Sequence, residues 1–178
     1  MSLVTRRQVL VSAVSAAMVS AVSAPGSSAP GDALTVEDRI AIAEAIAGIG
    51  LYADLREWNR VRSYFAARVT TDYTSLFGGE ATTSDRDALI ALWQGLLPGF
   101  DATQHLITNI TVEGAGNDAV ARSHVRATHW IGGRFWTVGG SYLHRLVRTP
   151  EGWRVNAIAI HRLYEEGDRA VLPPPPTG

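Results

Sequence analysis

Of the five histidines in the 178-residue chain, two fall where strand periodicity turns them toward one another. Along residues 117–130, Ala119, Ala121, Ser123, Val125, Ala127 and His129 share one parity; Val120, Arg122, His124, Arg126, Thr128 and Trp130 share the other. The first set is small and apolar and the second carries the charges. His129 therefore ends an apolar concave face, while His124 meets solvent or another subunit. His105 starts the preceding run, on a face with Ile107 and Asn109. A hairpin through Gly114–Gly116 would bring it to the same end of the sheet as His129. Two imidazoles converging at the mouth of a small-residue pocket suit acid–base chemistry, because an imidazole gains and loses a proton near neutral pH. His144 and His161 read as structural or exposed. Composition narrows the chemistry further. The chain has no Cys and all 16 of its basic residues are Arg, which excludes thiol nucleophiles, Cys-ligated metals, Schiff bases and a Walker lysine. A net charge of −1 gives no basic footprint for nucleic acid.

Those faces need a scaffold, and the period of the apolar residues supplies one. Four strand-like runs occupy residues 104–113, 117–130, 134–148 and 152–163, with hairpin turns expected at Gly114–Gly116, Gly132-Gly133 and Thr149–Gly152. Before them come helical patterns. Thr35 and Asp38 form an N-cap pair, followed by Ile40, Ala43, Ile46 and Leu51 as an apolar stripe. A second helix is expected over 57–66, with Trp58, Val61 and Phe65 on one face. A strand follows over 68–76. A third helix spans 84–97, with Ser84 as cap and Leu89, Leu92, Trp93 and Leu96 facing inward. Helices first and an antiparallel meander afterwards predict an α+β fold, helices packed on one face of a curved sheet.

The ends carry different signals. Thr5-Arg6-Arg7-Gln8-Val9-Leu10 matches a twin-arginine export pattern, and the weakly apolar residues 11–22 are too short and Ser-rich for a membrane span. A linker, Pro25–Gly31, follows. The expected organisation is a signal peptide and linker over 1–33, a domain over 34–170 and a Pro-rich tail over 171–178. The expected location is outside the cell, with no membrane contact after signal cleavage.

Several motifs in this order resemble one family. Asp54 and Trp58 with three residues between them, Asp72-Tyr73-Thr74-Ser75, Thr103-Gln104-His105 and His129 one strand later resemble the scytalone dehydratases. These lie within the SnoaL-like, nuclear-transport-factor-2-like superfamily. The resemblance covers residues 34–166 and implies a cone-shaped α+β barrel and a site without metal or organic cofactor. Ile160-His161-Arg162-Leu163-Tyr164-Glu165-Glu166 resembles bacterial members, bile-acid dehydratases among them. The resemblance implies His105 as general base and acid, with Asp54 as its carboxylate partner. It also implies Tyr73 as holder of the water that polarises a carbonyl, and His129 as a second polar group on the substrate. The chain departs from the fungal pattern in two places. Ala53, with Tyr52 behind it, replaces a second tyrosine, and Gly140 and Tyr142 replace a serine and an asparagine. Tyr52, Trp136, Tyr142 and Asn109 are the expected substrate contacts.

The implied activity is a dehydratase-like lyase on a small hydrophobic, hydroxylated carbonyl compound, polyketide- or steroid-like, in a homo-oligomer. Isomerisation, cyclisation and non-catalytic ligand binding remain open on this fold. Three further readings also stand. Asp54 is placed to cap the following helix, Tyr73 to be an ordinary strand tyrosine, and Asp54, His105 and His129 to imitate a two-histidine, one-carboxylate metal site.

Overall fold

The chain enters its first helix through a reciprocal cap. Thr35 Oγ1 accepts from the Asp38 amide and the Asp38 carboxylate accepts from the Thr35 amide, both at 3.1 Å. In the computed structural model, which describes residues 33–172, this cap opens α1 (Val36–Asp54). The buried stripe of α1 is Ile42, Ala45, Ile46, Ile49 and Ala53. Of the residues expected inward, Ile46 is buried, whereas Ile40 and Leu51 are 54% and 52% exposed. Close approach explains the rotation of the face. Gly50 lies on the buried side, where an added Cβ would stand 3.1 Å from His105 Cβ, and a larger residue would hold the helix off the sheet.

The second helix is shorter than its pattern suggests. α2 (Trp58–Ser63) stops early, and Phe65 begins β1 (Phe65–Asp72) opposite Val155. Phe65 thus fills the core from a strand. β1 ends at Asp72 because its carboxylate accepts from the amide (3.0 Å) and hydroxyl (2.6 Å) of Thr74, turning the chain into α3 (Thr74–Phe77). A strand that the pattern does not reveal, β2 (Thr82–Asp85), pairs with β1 and places Ser84 opposite Val69. Asp85 occupies the N-cap position of α4 (Arg86–Leu96) instead of Ser84. Leu89 and Ile90 are its buried residues, and Leu92 is 57% exposed.

The meander follows the sequence closely: β3 (Ala102–Ala115), β4 (Asp118–Ile131), β5 (Arg134–Thr149) and β6 (Gly152–Gly167). Gly132 and Gly133, at φ of 57° and 75°, make the two-residue turn between β4 and β5 that demands positive φ at both positions. The sheet order is β2-β1-β6-β5-β4-β3. Among the described residues only the β1–β6 pair is parallel. The helices cover the concave face, where Trp136, Phe65, Ile42, Ile46 and Leu146 are fully buried. Asp38 fastens this layer: beyond its cap it accepts two hydrogen bonds from Arg148 at 2.7 Å and one from Trp153 Nε1 at 2.9 Å. The Arg148 bonds, with Trp153 next, hold its carboxyl well below the ordinary range against the push of burial.

Val171 is buried and Leu172 packs beside it, so the packed domain reaches past residue 170. Residues 1–32 of the signal and linker expected over 1–33, and the proline run at 173–176, lie outside the described residues. No helix among the described residues is long and apolar enough to cross a membrane.

Candidate active site

Asp54 is the last residue of α1, at the helix end where backbone carbonyls disfavour a negative charge. Three donors offset this. The Thr103 hydroxyl (2.8 Å) and His105 Nδ1 (2.7 Å) meet Oδ1, and the His105 backbone amide meets Oδ2 at 2.7 Å. Burial pushes the carboxyl up, but the hydrogen bond and charge of His105, its amide and Thr103 outweigh burial and leave the group lowered. With a carboxylate accepting at Nδ1, the neutral imidazole carries its proton there and leaves Nε2 unprotonated on the opposite side of the ring. Neither side chain is sealed off: those of His105 and Asp54 are 15% and 14% exposed. Capping of α2 is not what Asp54 does: the N-cap of that helix is Glu57, with no side-chain hydrogen bond.

His129 stands beside this pair. Its ring centroid is 5.6 Å from that of His105, because β4 places His129 opposite Thr103 and Ala127 opposite His105. It also meets Phe100 edge-on at 4.9 Å and Trp136 at 5.4 Å. Burial, reinforced by the His105 charge and opposed by Asp54, pushes His129 down to about 4. It is therefore neutral at pH 7, and its Nδ1 is buried without a partner. Among the described residues no three His, Asp or Glu side chains converge as a metal-binding cluster. Asp54 instead spends its oxygens on Thr103 and His105.

These groups border a cavity of about 140 Å³ between the helices and the concave sheet. His105, His129, Tyr73, Trp136 and Tyr142 all line it. Tyr73 reaches it from the turn after β1, not from within a strand. Burial raises the Tyr73 hydroxyl, with Tyr142 adding to the effect, and burial with the Asp54 charge pushes Tyr142 up to about 12. Both phenols remain protonated hydrogen-bond donors in neutral solution. Trp136 presents its ring and anchors its Nε1 on Glu165 at 2.9 Å.

Two expected contacts lie elsewhere. Tyr52 stacks on Tyr64 at 6.2 Å, carries the Arg60 guanidinium 4.6 Å above its ring and does not line the cavity. Asn109 is exposed at φ 55°, in a bulge where the β3–β4 register shifts between Thr108 and Thr111. The bulge breaks the alternation that links Asn109 to His105 and Ile107 in the sequence. Conversely, His144 lines the cavity and is 2% exposed, although it reads as a structural or exposed residue. The parity of β5 carries the signal: Trp136, Tyr142 and His144 share one side of an unbroken β4–β5 register. Thr103 is legible as part of Thr103-Gln104-His105, but its bond to Asp54 depends on the fold.

Residues 34–159 match the family described as the SnoaL-like domain. The chain belongs to this family. Its architecture is the nuclear-transport-factor-2-like cone. The Kfla4162 protein of Kribbella flavida is similar at 30% identity and a TM-score of 0.70, over 73% of this chain and 93% of that one. A Novosphingobium aromaticivorans protein, provisionally named a scytalone dehydratase, shares 18% identity and a TM-score of 0.65 over 75% and 89% of the two chains. A hexachlorocyclohexane dehydrochlorinase, type 2, shares 16% identity and a TM-score of 0.61 over 80% and 99%. At those identities the last two show the shared fold alone. No curated protein matches the chain with significance.

Proposed function

We propose that the protein is a cofactor-independent lyase that eliminates water from a compact hydroxylated carbonyl compound. The observation that carries this reading is the 2.7 Å contact between Asp54 Oδ1 and His105 Nδ1, with the His105 ring on the cavity wall. His105 Nε2 takes the proton from the carbon next to the carbonyl, and Asp54 stabilises the resulting imidazolium. The electron pair moves onto the carbonyl oxygen, where the Tyr73 hydroxyl, directly or through water, stabilises the enolate. Collapse of the enolate forms the carbon–carbon double bond and breaks the bond to the neighbouring hydroxyl. That group leaves as water with the proton returned by His105. Neutral His129 supplies a hydrogen bond to the leaving oxygen or the substrate, and Trp136 and Tyr142 wall the ring system.

The size of the cavity favours a small skeleton. About 140 Å³ is comparable to an engineered cavity of about 150 Å³ that holds benzene. One or two rings fit this site better than four, so a compact polyketide-like ring is a better candidate than a steroid. The names borne by two structural neighbours, a dehydratase and a dehydrochlorinase, are consistent with elimination started by proton removal. The test is a panel of one- and two-ring β-hydroxy ketones, followed by the absorbance of the conjugated product. His105→Gln should abolish turnover and keep affinity. Binding by the wild type with no product from any member favours a ligand-binding module. We also propose twin-arginine export directed by residues 1–33, and a homo-oligomer formed through the outward face of β4 around Arg122, Arg126 and Trp130.

A further inference from the structure

The cavity has a polar group that proton abstraction leaves unused. His144 lines it from β5, is 2% exposed, and has its Nδ1 buried with no hydrogen-bond partner. An unpaired polar atom in such a place costs stability unless something satisfies it. Tyr142 packs against the ring with centroids 5.3 Å apart. Ser123, which faces Tyr142 across the β4–β5 ladder, also buries its hydroxyl oxygen without a partner. These two unsatisfied groups, unlike His129 Nδ1 beside the catalytic pair, lie together on adjacent strands and form a pole of their own. That pole is separate from the catalytic pair: His105 lies opposite Ala127 and His144 opposite Ala121, six positions apart along β4 (127 − 121). The curvature of the sheet turns both side chains into one cavity, with apolar Ile49, Ile107 and Val138 also lining it.

We propose that His144 is a specificity-determining residue that hydrogen-bonds an oxygen at the end of the ligand remote from His105. The ligand class is thereby narrowed to compact apolar skeletons oxygenated at both ends. This inference rests on reading the cavity as a ligand site, but not on the elimination chemistry. Burial keeps the imidazole neutral by pushing it down to about 4, so it offers one donor and one acceptor and no charge. A hydroxyl or a carbonyl satisfies it equally. A carboxylate does not suit a pole with no cation.

The experiment measures binding of 2-naphthol and 2,6-dihydroxynaphthalene to the full chain by calorimetry and naphthol fluorescence. The wild type should prefer the diol about tenfold, the worth of one net hydrogen bond. His144→Phe should lose the preference for the diol, and His144→Gln should restore part of it. In ¹⁵N spectra of the wild type, the His144 ring nitrogens should shift with the diol and not with 2-naphthol; this readout stands even where the Phe variant does not fold. A diol preference that persists in His144→Phe, a His144 signal indifferent to the diol, or failure of both probes to bind overturns the proposal. His105→Gln should keep the diol preference. A wild type that shows this preference but turns over no hydroxy ketone contradicts the lyase reading and leaves the role of His144 standing.

Discussion

Replacing Asp54 with Asn keeps the size of the side chain and removes its charge, and the geometry dictates where the damage falls. The carboxylate receives three donors at 2.7–2.8 Å, two of them from His105. An amide has one accepting oxygen and a donating nitrogen, so it cannot serve all three. If its nitrogen faces the His105 backbone amide, a half-buried donor is left unpaired. If it faces Nδ1, the imidazole must give up that proton and carry it on Nε2, toward the cavity, where it no longer acts as a base. Either arrangement loses a charge-assisted hydrogen bond, and the expected destabilisation is about 2 kcal/mol. The expected loss of turnover is about 10³–10⁴-fold, the scale of a histidine held in the wrong tautomer. Urea denaturation of the full chain reads the first number, and ¹⁵N shifts of the His105 ring read the tautomer without any substrate. The pH dependence has a definite sign. Asp54 is lowered in the fold, so its contribution is complete above the unfolded value of about 3.9 and is lost as pH falls through the folded value. The stability gap between wild type and Asp54→Asn should therefore close in acid. A variant with wild-type stability and an unchanged His105 tautomer would refute this reasoning.

Three other outcomes follow from the packing. His129 and His144 are pushed down to about 4 from 6.5, so the unfolded chain binds protons more readily between those values. Stability should fall as pH drops from 6.5 toward 4, by up to about 3 kcal/mol for each residue, and urea midpoints for a His129→Gln/His144→Gln double variant should flatten that slope. Gly50→Ala places a methyl 3.1 Å from His105 Cβ and 3.3 Å from Ile107 Cγ1. It should lower kcat several-fold with little change in thermal midpoint, a split measured by comparing turnover with melting. Asp38→Asn leaves one accepting oxygen for the Thr35 amide, Arg148 and Trp153, loses the charge that draws Arg148, and should lower the thermal midpoint while leaving ligand affinity intact.

Local rules govern what is legible in the sequence. The alternation over 119–129 holds without interruption in β4, and by itself it assigns His129 to the buried face that the ring occupies. The Thr35–Asp38 cap and the Gly132-Gly133 turn are equally local, and both form as expected. Local rules fail where a long-range contact decides. Ile40 and Leu51 have the right spacing, but Gly50 sets which face of α1 can approach β3. Phe65 fits a helical stripe, yet pairing with β6 draws it into a strand. Asn109 is displaced from its expected face by a bulge that no composition signal announces, and Tyr52, expected as a substrate contact, stacks on Tyr64 instead. His144 is accessible to the same parity argument that finds His129, carried eight positions along β5 from Trp136 (144 − 136).

The central claim is that His105, held by Asp54, removes a proton next to a carbonyl. Deuterium incorporation at that carbon is the most direct measurement, since it reports proton removal whatever product follows. One- and two-ring β-hydroxy ketones would be incubated with the full chain in D₂O and followed by NMR. The account predicts exchange by the wild type with at least one of them, reduced about a hundredfold or more in both His105→Gln and Asp54→Asn. Exchange that survives His105→Gln, or no exchange above background in the wild type, would contradict it.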